Sequence, residues 1–253
     1  MSFFQNVWAI VEKNYVLLLR GVGYTMLLAL VGTLVGLLIG LLIGVFRTIP
    51  ESKNKAIRVI KKILDFILSA YIEVFRGTPM MVQAMVIYWG YAFANGGSTL
   101  PLISSGIIIV SINTGAYMAE IVRGGIISID KGQFEGAHAV GMTHFQTMIH
   151  VVIPQVLRNI LPSISNEFII NIKDTSVLNV IGVTELYFFA GMIYKLNLQV
   201  FETYLVVCVI YFILTFTISR TLRFIEKKMD GSKNYTVFGS QTDPQAEIHV
   251  RED

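Results

Sequence analysis

Apolar residues in this chain come in long unbroken runs. Gly21 to Phe46 is 26 consecutive residues without a charge. As a helix at 1.5 Å per residue this run reaches roughly 39 Å, more than the ~30 Å hydrocarbon core of a bilayer. Gly77 to Ala119 is a second charge-free stretch, interrupted by the turn-like Asn95-Gly96-Gly97-Ser98 and by Pro101. The pattern predicts membrane-crossing helices at about 21–46, 63–94, 101–122, 150–173 and 201–222. The second is irregular. Asp65, Glu73 and Arg76 interrupt it, and Gly77-Thr78-Pro79 predicts a kink or a break, because proline cannot donate a backbone hydrogen bond. A short apolar element is expected at 177–193, an amphipathic lead-in at 1–20, and a disordered polar tail at 229–253. The region 21–228 between them forms one all-α integral membrane domain.

Composition agrees with this reading. Of 253 residues, 54% are hydrophobic and 15% charged, against roughly 25% charged in soluble domains; the mean hydropathy is +0.63. The net charge of +3 does not point to nucleic acid. The placement of the positive charges is more telling. Six Lys and Arg lie in 47–62, three in 123–158 and six from Arg220 onward, fifteen of the twenty in all. Five crossings with the N-terminus outside put all three regions in or next to the cytoplasm, as the positive-inside rule prefers. A sixth crossing at 177–193 would put the basic C-terminus outside. The single cysteine, Cys208, excludes an internal disulfide. In the first span Gly32, Gly36, Gly40 and Gly44 recur every four residues. They form a groove along one helix face, suited to close helix packing where lipid supplies no hydrophobic drive.

The most informative segment is polar and lies between two spans. It reads Asp130-Lys-Gly-Gln-Phe-Glu-Gly-Ala-His-Ala-Val-Gly141 and continues to Val151-Val152-Ile153-Pro154. Gln133 to Ala139 has helical character between flanking glycines, which suits a short helix lying against a partner. The segment resembles the cytoplasmic motif of permease subunits in binding-protein-dependent ATP-binding-cassette importers: Glu-Ala-Ala, three residues, Gly, nine residues, Ile-x-Leu-Pro. Glu135, Ala137, Gly141, Val151, Ile153 and Pro154 stand at matching positions, with Gly136 in place of the central alanine. Three further stretches resemble the polar amino acid subfamily: Glu73-Val-Phe-Arg-Gly-Thr-Pro-Met-Met-Val-Gln83, Gly115-Ala-Tyr-Met-Ala-Glu-Ile-Val-Arg-Gly-Gly125, and Lys173-Asp-Thr-Ser-Val-Leu178 followed by Ile181-Gly-Val-Thr-Glu185. The similarity runs in order over about 15–228.

The resemblance implies a five-helix MetI-like importer permease fold with a cytoplasmic coupling helix. It places Glu135, Gly136, Ala137, Gly141 and Pro154 in the segment that docks on an ATPase. It also implies residence in a bacterial cytoplasmic membrane, as one of two permease chains, identical or related. An external or periplasmic binding protein would deliver the amino acid. The chain has no phosphate loop ending in Gly-Lys-Ser/Thr, so ATP and Mg are expected on the partner ATPase.

Polar residues inside spans are costly and face a cavity or a partner. In the third span Asn113, Tyr117 and Glu120 recur at three- to four-residue spacing. In the fourth, Ser163, Glu167, Asn171 and Asp174 share one face, flanked by Asn166 and Lys173. Gln83, Asn113, Tyr117, Asn166 and Glu167 are the candidates to line a substrate pathway, with amides for a carboxylate and Glu167 for an ammonium. Interhelical hydrogen bonding is the competing role for each. His138, His144 and His150 lack a same-face metal spacing, and neither a zinc motif nor a Gly-x-Ser-x-Gly nucleophile motif occurs. An intramembrane enzyme therefore lacks a catalytic constellation, and a plain scaffold would not need the coupling motif.

Overall fold

The computed structural model describes residues 2–229; the predicted polar tail lies outside them apart from Met229. Among the described residues the regular structure is helical throughout. α1 (Phe3–Thr48) is a single helix of 46 residues that runs from the predicted lead-in through the first span without a break. α2 (Lys55–Gly77) and α3 (Met80–Ala94) are separated at Thr78-Pro79, where the missing proline N–H ends the ladder. α4 (Leu102–Ile127) follows, then the short α5 (Lys131–Ala139) and α6 (His144–Thr147). A π-helical turn, Met148–Val152, leads into α7 (Ile153–Asp174). A 3-10 turn, Thr175–Ile181, then joins α7 to α8 (Leu186–Asn197), and α9 (Val200–Met229) closes the described chain.

The α1–α4 seam organises the molecule. Gly32 lies on Val110, Gly36 on Thr114, Gly40 on Met118 and Gly44 on Val122. The numbers rise together, so the two helices run parallel and the chain between them must return through α2 and α3. α7 runs the other way: Gly125 lies on Val156 and Ile160, while Thr114 bonds Asn171. Phe201 stacks near Phe3, and Val206 and Val207 pack with Ile10, Leu18 and Leu186, so α9 sets out beside the start of α1.

Length and hydropathy select α1, α4 and α9 as able to cross a membrane. The α7 segment and α8, bent by 56° at their joint, add a fourth span if counted as one. The second predicted span fails that test because the break divides it into a basic amphipathic helix, α2, and a 15-residue apolar helix, α3.

A buried polar node locks three helices together. Asn171 donates to Thr33 Oγ1 at 2.8 Å and to Thr114 Oγ1 at 3.0 Å, and all three residues are buried. Glu185, fully buried, caps α8 by accepting from the Tyr187 and Phe188 amides at 2.9 and 2.7 Å, and accepts the Tyr211 hydroxyl from α9 at 2.9 Å. Its carboxyl oxygens sit at the positive end of that helix with their donors in place.

Candidate functional site

Two sets of residues stand out, one at the ends of α4 and α7 and one along α2, α3, α4 and α7. The first is the α5 segment. Asp130 starts α5 by accepting from the Gly132 amide at 2.7 Å. The helix ends in a Schellman arrangement: the Gly141 amide donates to His138 O and the Met142 amide to Ala137 O, each at 3.0 Å. Gly141 supplies the left-handed residue this requires, at φ +85°. Thr143 and Gln146 form a capping box that begins α6. The π-helical turn ends two residues before Pro154, which has no N–H to return to the preceding turn.

One side of this segment is anchored. Met148 and Val152 are buried with Val122, Ile126, Val156 and Ile160, and Phe134 packs against them; Ala137 is buried too. The other side is open. Glu135 and Gly136 are exposed, and so are Val140 at 76% and Phe145 at 71%. The segment from α5 to α6, clamped at its base, therefore presents a face carrying Glu135 and the apolar Val140 and Phe145. Burial, and then the charge of neighbouring His138, hold His144 below its ordinary value of 6.5.

The second set is a polar track. Gln83 Nε2 donates to Phe75 O, Thr78 O and Thr78 Oγ1, all at 2.9 Å, and its Oε1 accepts from Asn113 Nδ2 at 2.9 Å. These two predicted pathway residues meet, and together they hold the α2–α3 break against α4. Tyr117 lies under Arg76, whose guanidinium carbon is 5.6 Å from the ring centroid. Glu167 is half-buried on α7 with Arg76 and Asp174 within electrostatic reach. Asn166 is exposed and is not brought to the others.

Further along, Arg47 Nη1 donates to Glu120 Oε1 at 2.8 Å and Arg123 Nη2 to Glu120 Oε2 at 2.9 Å, while Arg47 Nη2 reaches Ser69 Oγ at 3.2 Å. Sequence reasoning did not assign this cluster. The spacing of Glu120 and Arg123 fits a helical i,i+3 pair, but no local signal links either to Arg47, 73 residues away from Glu120. It likewise did not assign the Thr33–Thr114–Asn171 node, although hydroxyls and an amide in midspan were a visible clue.

Residues 36–231 match the family described as binding-protein-dependent transport system inner membrane component. The glutamine transport system permease protein of Escherichia coli (strain K12) is 39% identical over 167 residues, 66% of this chain and 76% of the relative. The L-cystine transport system permease protein of Bacillus subtilis (strain 168) is 40% identical over 168 residues, 66% of this chain and 71% of the relative. A crystal structure of an amino acid ABC transporter with histidines superposes with a TM-score of 0.74 at 36% identity, covering 90% of this chain and 99% of the other. The inward-facing MetNI methionine ABC transporter superposes with a TM-score of 0.70 at 22% identity, covering 86% and 98%, which speaks for the fold. The match spans most of the chain and includes both the α5 segment and the polar track, so this chain belongs to the family of binding-protein-dependent transport system inner membrane components.

Proposed function

We propose that this chain, paired with a second permease chain, forms the pathway by which a polar amino acid enters the cell. An external binding protein delivers the amino acid, and a separate ATPase, which binds ATP and Mg, drives the cycle. The observation that carries the proposal is the α5 segment. It is fixed at its base to the ends of α4 and α7 and presents Glu135, Gly136, Val140 and Phe145 outward. A partner that grips this face moves both helices at once. Glu135, Gly136 and Ala137 form the docked helix, Gly141 ends it, and Pro154 sets the entry into α7. The amino acid class is supported by the glutamine and L-cystine permeases among the relatives.

Five crossings with the N-terminus outside fit the packing directions. α1 and α4 run inward, α2 and α3 return between them, α7 runs outward and α9 inward. The basic loop 47–62, the α5 segment and the end of α9 then share the cytoplasmic side. In the pathway, Glu167 meets the substrate ammonium, and Tyr117 with Arg76 faces its carboxylate. Gln83 and Asn113 hold the break that shapes this region, and Asn166 stands at its edge. A charge inside a span costs about 2.5–3.5 kcal/mol on insertion scales, so its retention points to a role.

Proteoliposomes holding the permease with its ATPase, given the binding protein and a panel of radiolabelled amino acids, test the reading. The parent takes up at least one amino acid with ATP, and Glu135→Lys lowers both uptake and receptor-stimulated ATP hydrolysis. Glu167→Gln reduces uptake without changing substrate affinity of the binding protein. Full coupling in Glu135→Lys refutes the docking assignment, and unchanged uptake kinetics in Glu167→Gln refute the Glu167 role.

A further inference from the structure

α2 is lightly anchored for a helix of 23 residues: Ile72 is its one buried residue. Arg58, Lys61, Asp65, Ser69 and Arg76 fall in a stripe about 80° wide at helical spacing. This helix is tied to the body by polar contacts. Tyr71 donates to Ile112 O at 2.6 Å, Ser69 accepts from Arg47 at 3.2 Å, and Arg76 lies over Tyr117. Polar contacts can change partners, whereas an interdigitated core cannot without unpacking.

The charges around Ser69 do not balance. Arg47 and Arg123 share the single carboxylate of Glu120, which leaves one positive charge in excess. Asp65 sits one helical turn before Ser69 on the same stripe. Its Oδ1 is shielded from solvent and accepts no hydrogen bond, and its Oδ2 has a loose pairing with Lys61 at 3.5 Å. An under-used carboxylate thus lies about one turn, roughly 6 Å, from the residue that Arg47 now touches.

We infer that Arg47 is a two-position latch on α2, held by Ser69 in this structure and by Asp65 in a second state of the transport cycle, with Glu120 as its fixed anchor. The guanidinium has enough donors for Nη1 to stay on Glu120 while Nη2 changes acceptor. The change corresponds to a slide of α2 by one turn, about 5.4 Å, a known form of helix switching. α5 begins at Lys131, shortly after Arg123 on α4, so movement of the docked helix reaches the anchor directly. This inference rests on the transport reading. It makes Arg47, Ser69 and Asp65 positioning residues that touch no substrate.

The test uses the full transporter with its ATPase and binding protein in proteoliposomes, with Cys208→Ser as background. Spin labels replace Ile60 on α2 and Ile127 at the end of α4, both exposed. Electron–electron distances are measured with and without ATP and Mg. In the parent the distance changes between the two conditions by an amount bounded by the slide of about 5.4 Å. Asp65→Leu abolishes the shift and lowers ATP-driven uptake about tenfold, while Asp65→Glu restores both. Ser69→Ala shifts the distance to the ATP value in the absence of ATP, a result that loss of packing would not produce. Normal uptake and a normal shift in Asp65→Leu overturn the latch alone. A parent that takes up no amino acid overturns the transport reading and the latch with it.

Discussion

An alanine at Gly40 would drive a methyl group into the backbone of α4. The added Cβ would meet Met118 C at 2.6 Å and Ala119 N at 2.8 Å. Ordinary carbon contacts lie near 3.5–4.0 Å, so α1 and α4 would have to part by roughly 1 Å. Backbone atoms cannot swing aside as a side chain can. At Gly44 the nearest atoms are Val122 Cγ1 at 2.6 Å and Cβ at 2.9 Å, both side-chain atoms, and the nearest backbone atom, Ala119 O, is farther, at 3.3 Å. Gly23 has nothing within 4 Å, and alanine there gains about 0.5–1 kcal/mol in helix propensity. Overpacking in a fitted interior costs about 1–3 kcal/mol. Set against the propensity gain, Gly40→Ala should destabilise by about 2 kcal/mol, and Gly44→Ala by less. For a chain of this length that is roughly 4–8 °C in Tm. Thermal unfolding of the purified protein in one detergent gives the ranking. Gly23→Ala should equal or exceed the parent, Gly44→Ala should fall below it, and Gly40→Ala lowest. A Gly40→Ala protein as stable as Gly23→Ala would refute the close approach of the two helices.

Asn171→Leu removes the amide from the buried node and leaves the hydroxyls of Thr33 and Thr114 without it. We expect a loss of about 1–2 kcal/mol, partly recovered when both threonines become valine, measured by the same unfolding assay. Glu185→Ala uncaps α8 and strands the Tyr211 hydroxyl; amide hydrogen exchange at Tyr187 and Phe188 should rise by a factor consistent with about 1–2 kcal/mol. His144 is held below its ordinary 6.5, so the unfolded segment binds a proton more readily than the folded one. Its contribution to stability is complete above about 6.5 and falls as the pH drops through that value toward the folded one. Exchange protection over 143–152 should therefore weaken between pH 7.5 and 5.5, and His144→Gln should remove that dependence.

The hydrophobic runs made the helices legible because a span must be long and apolar wherever it sits in the fold. The Pro79 break and α5 were legible for local reasons too: a missing N–H, and a helical stretch flanked by glycines. The extent of α1 was not, since Glu12, Lys13 and Arg20 resemble the end of a span, yet Ile10 and Leu18 beside them are buried against α8 and α9. Gln83 and Asn113 could be placed on their helices but not joined, because their contact spans 30 residues. The Arg47–Glu120 pair was hidden for the same reason. The in-span position of Glu120 called for a partner, but nothing local says which helix supplies it.

The two kinds of contact divide the molecule along a functional line. Between α1, α4 and α7 the seam consists of glycines against β-branched and methionine side chains, closed by a satisfied buried node. Such a seam has a single fit, and any shift along it would leave gaps or clashes. α2 and the break before α3 meet the same body through hydroxyls, amides and guanidinium groups, which have more than one acceptor within a helical turn. An importer needs a part that keeps its shape and a part that changes it. α5 packs onto the ends of α4 and α7, so in the proposed cycle a partner pulling on α5 would displace the rigid part as a unit. The yielding then falls on the α2 contacts, where exchanging one hydrogen bond for another costs far less than unpacking a core.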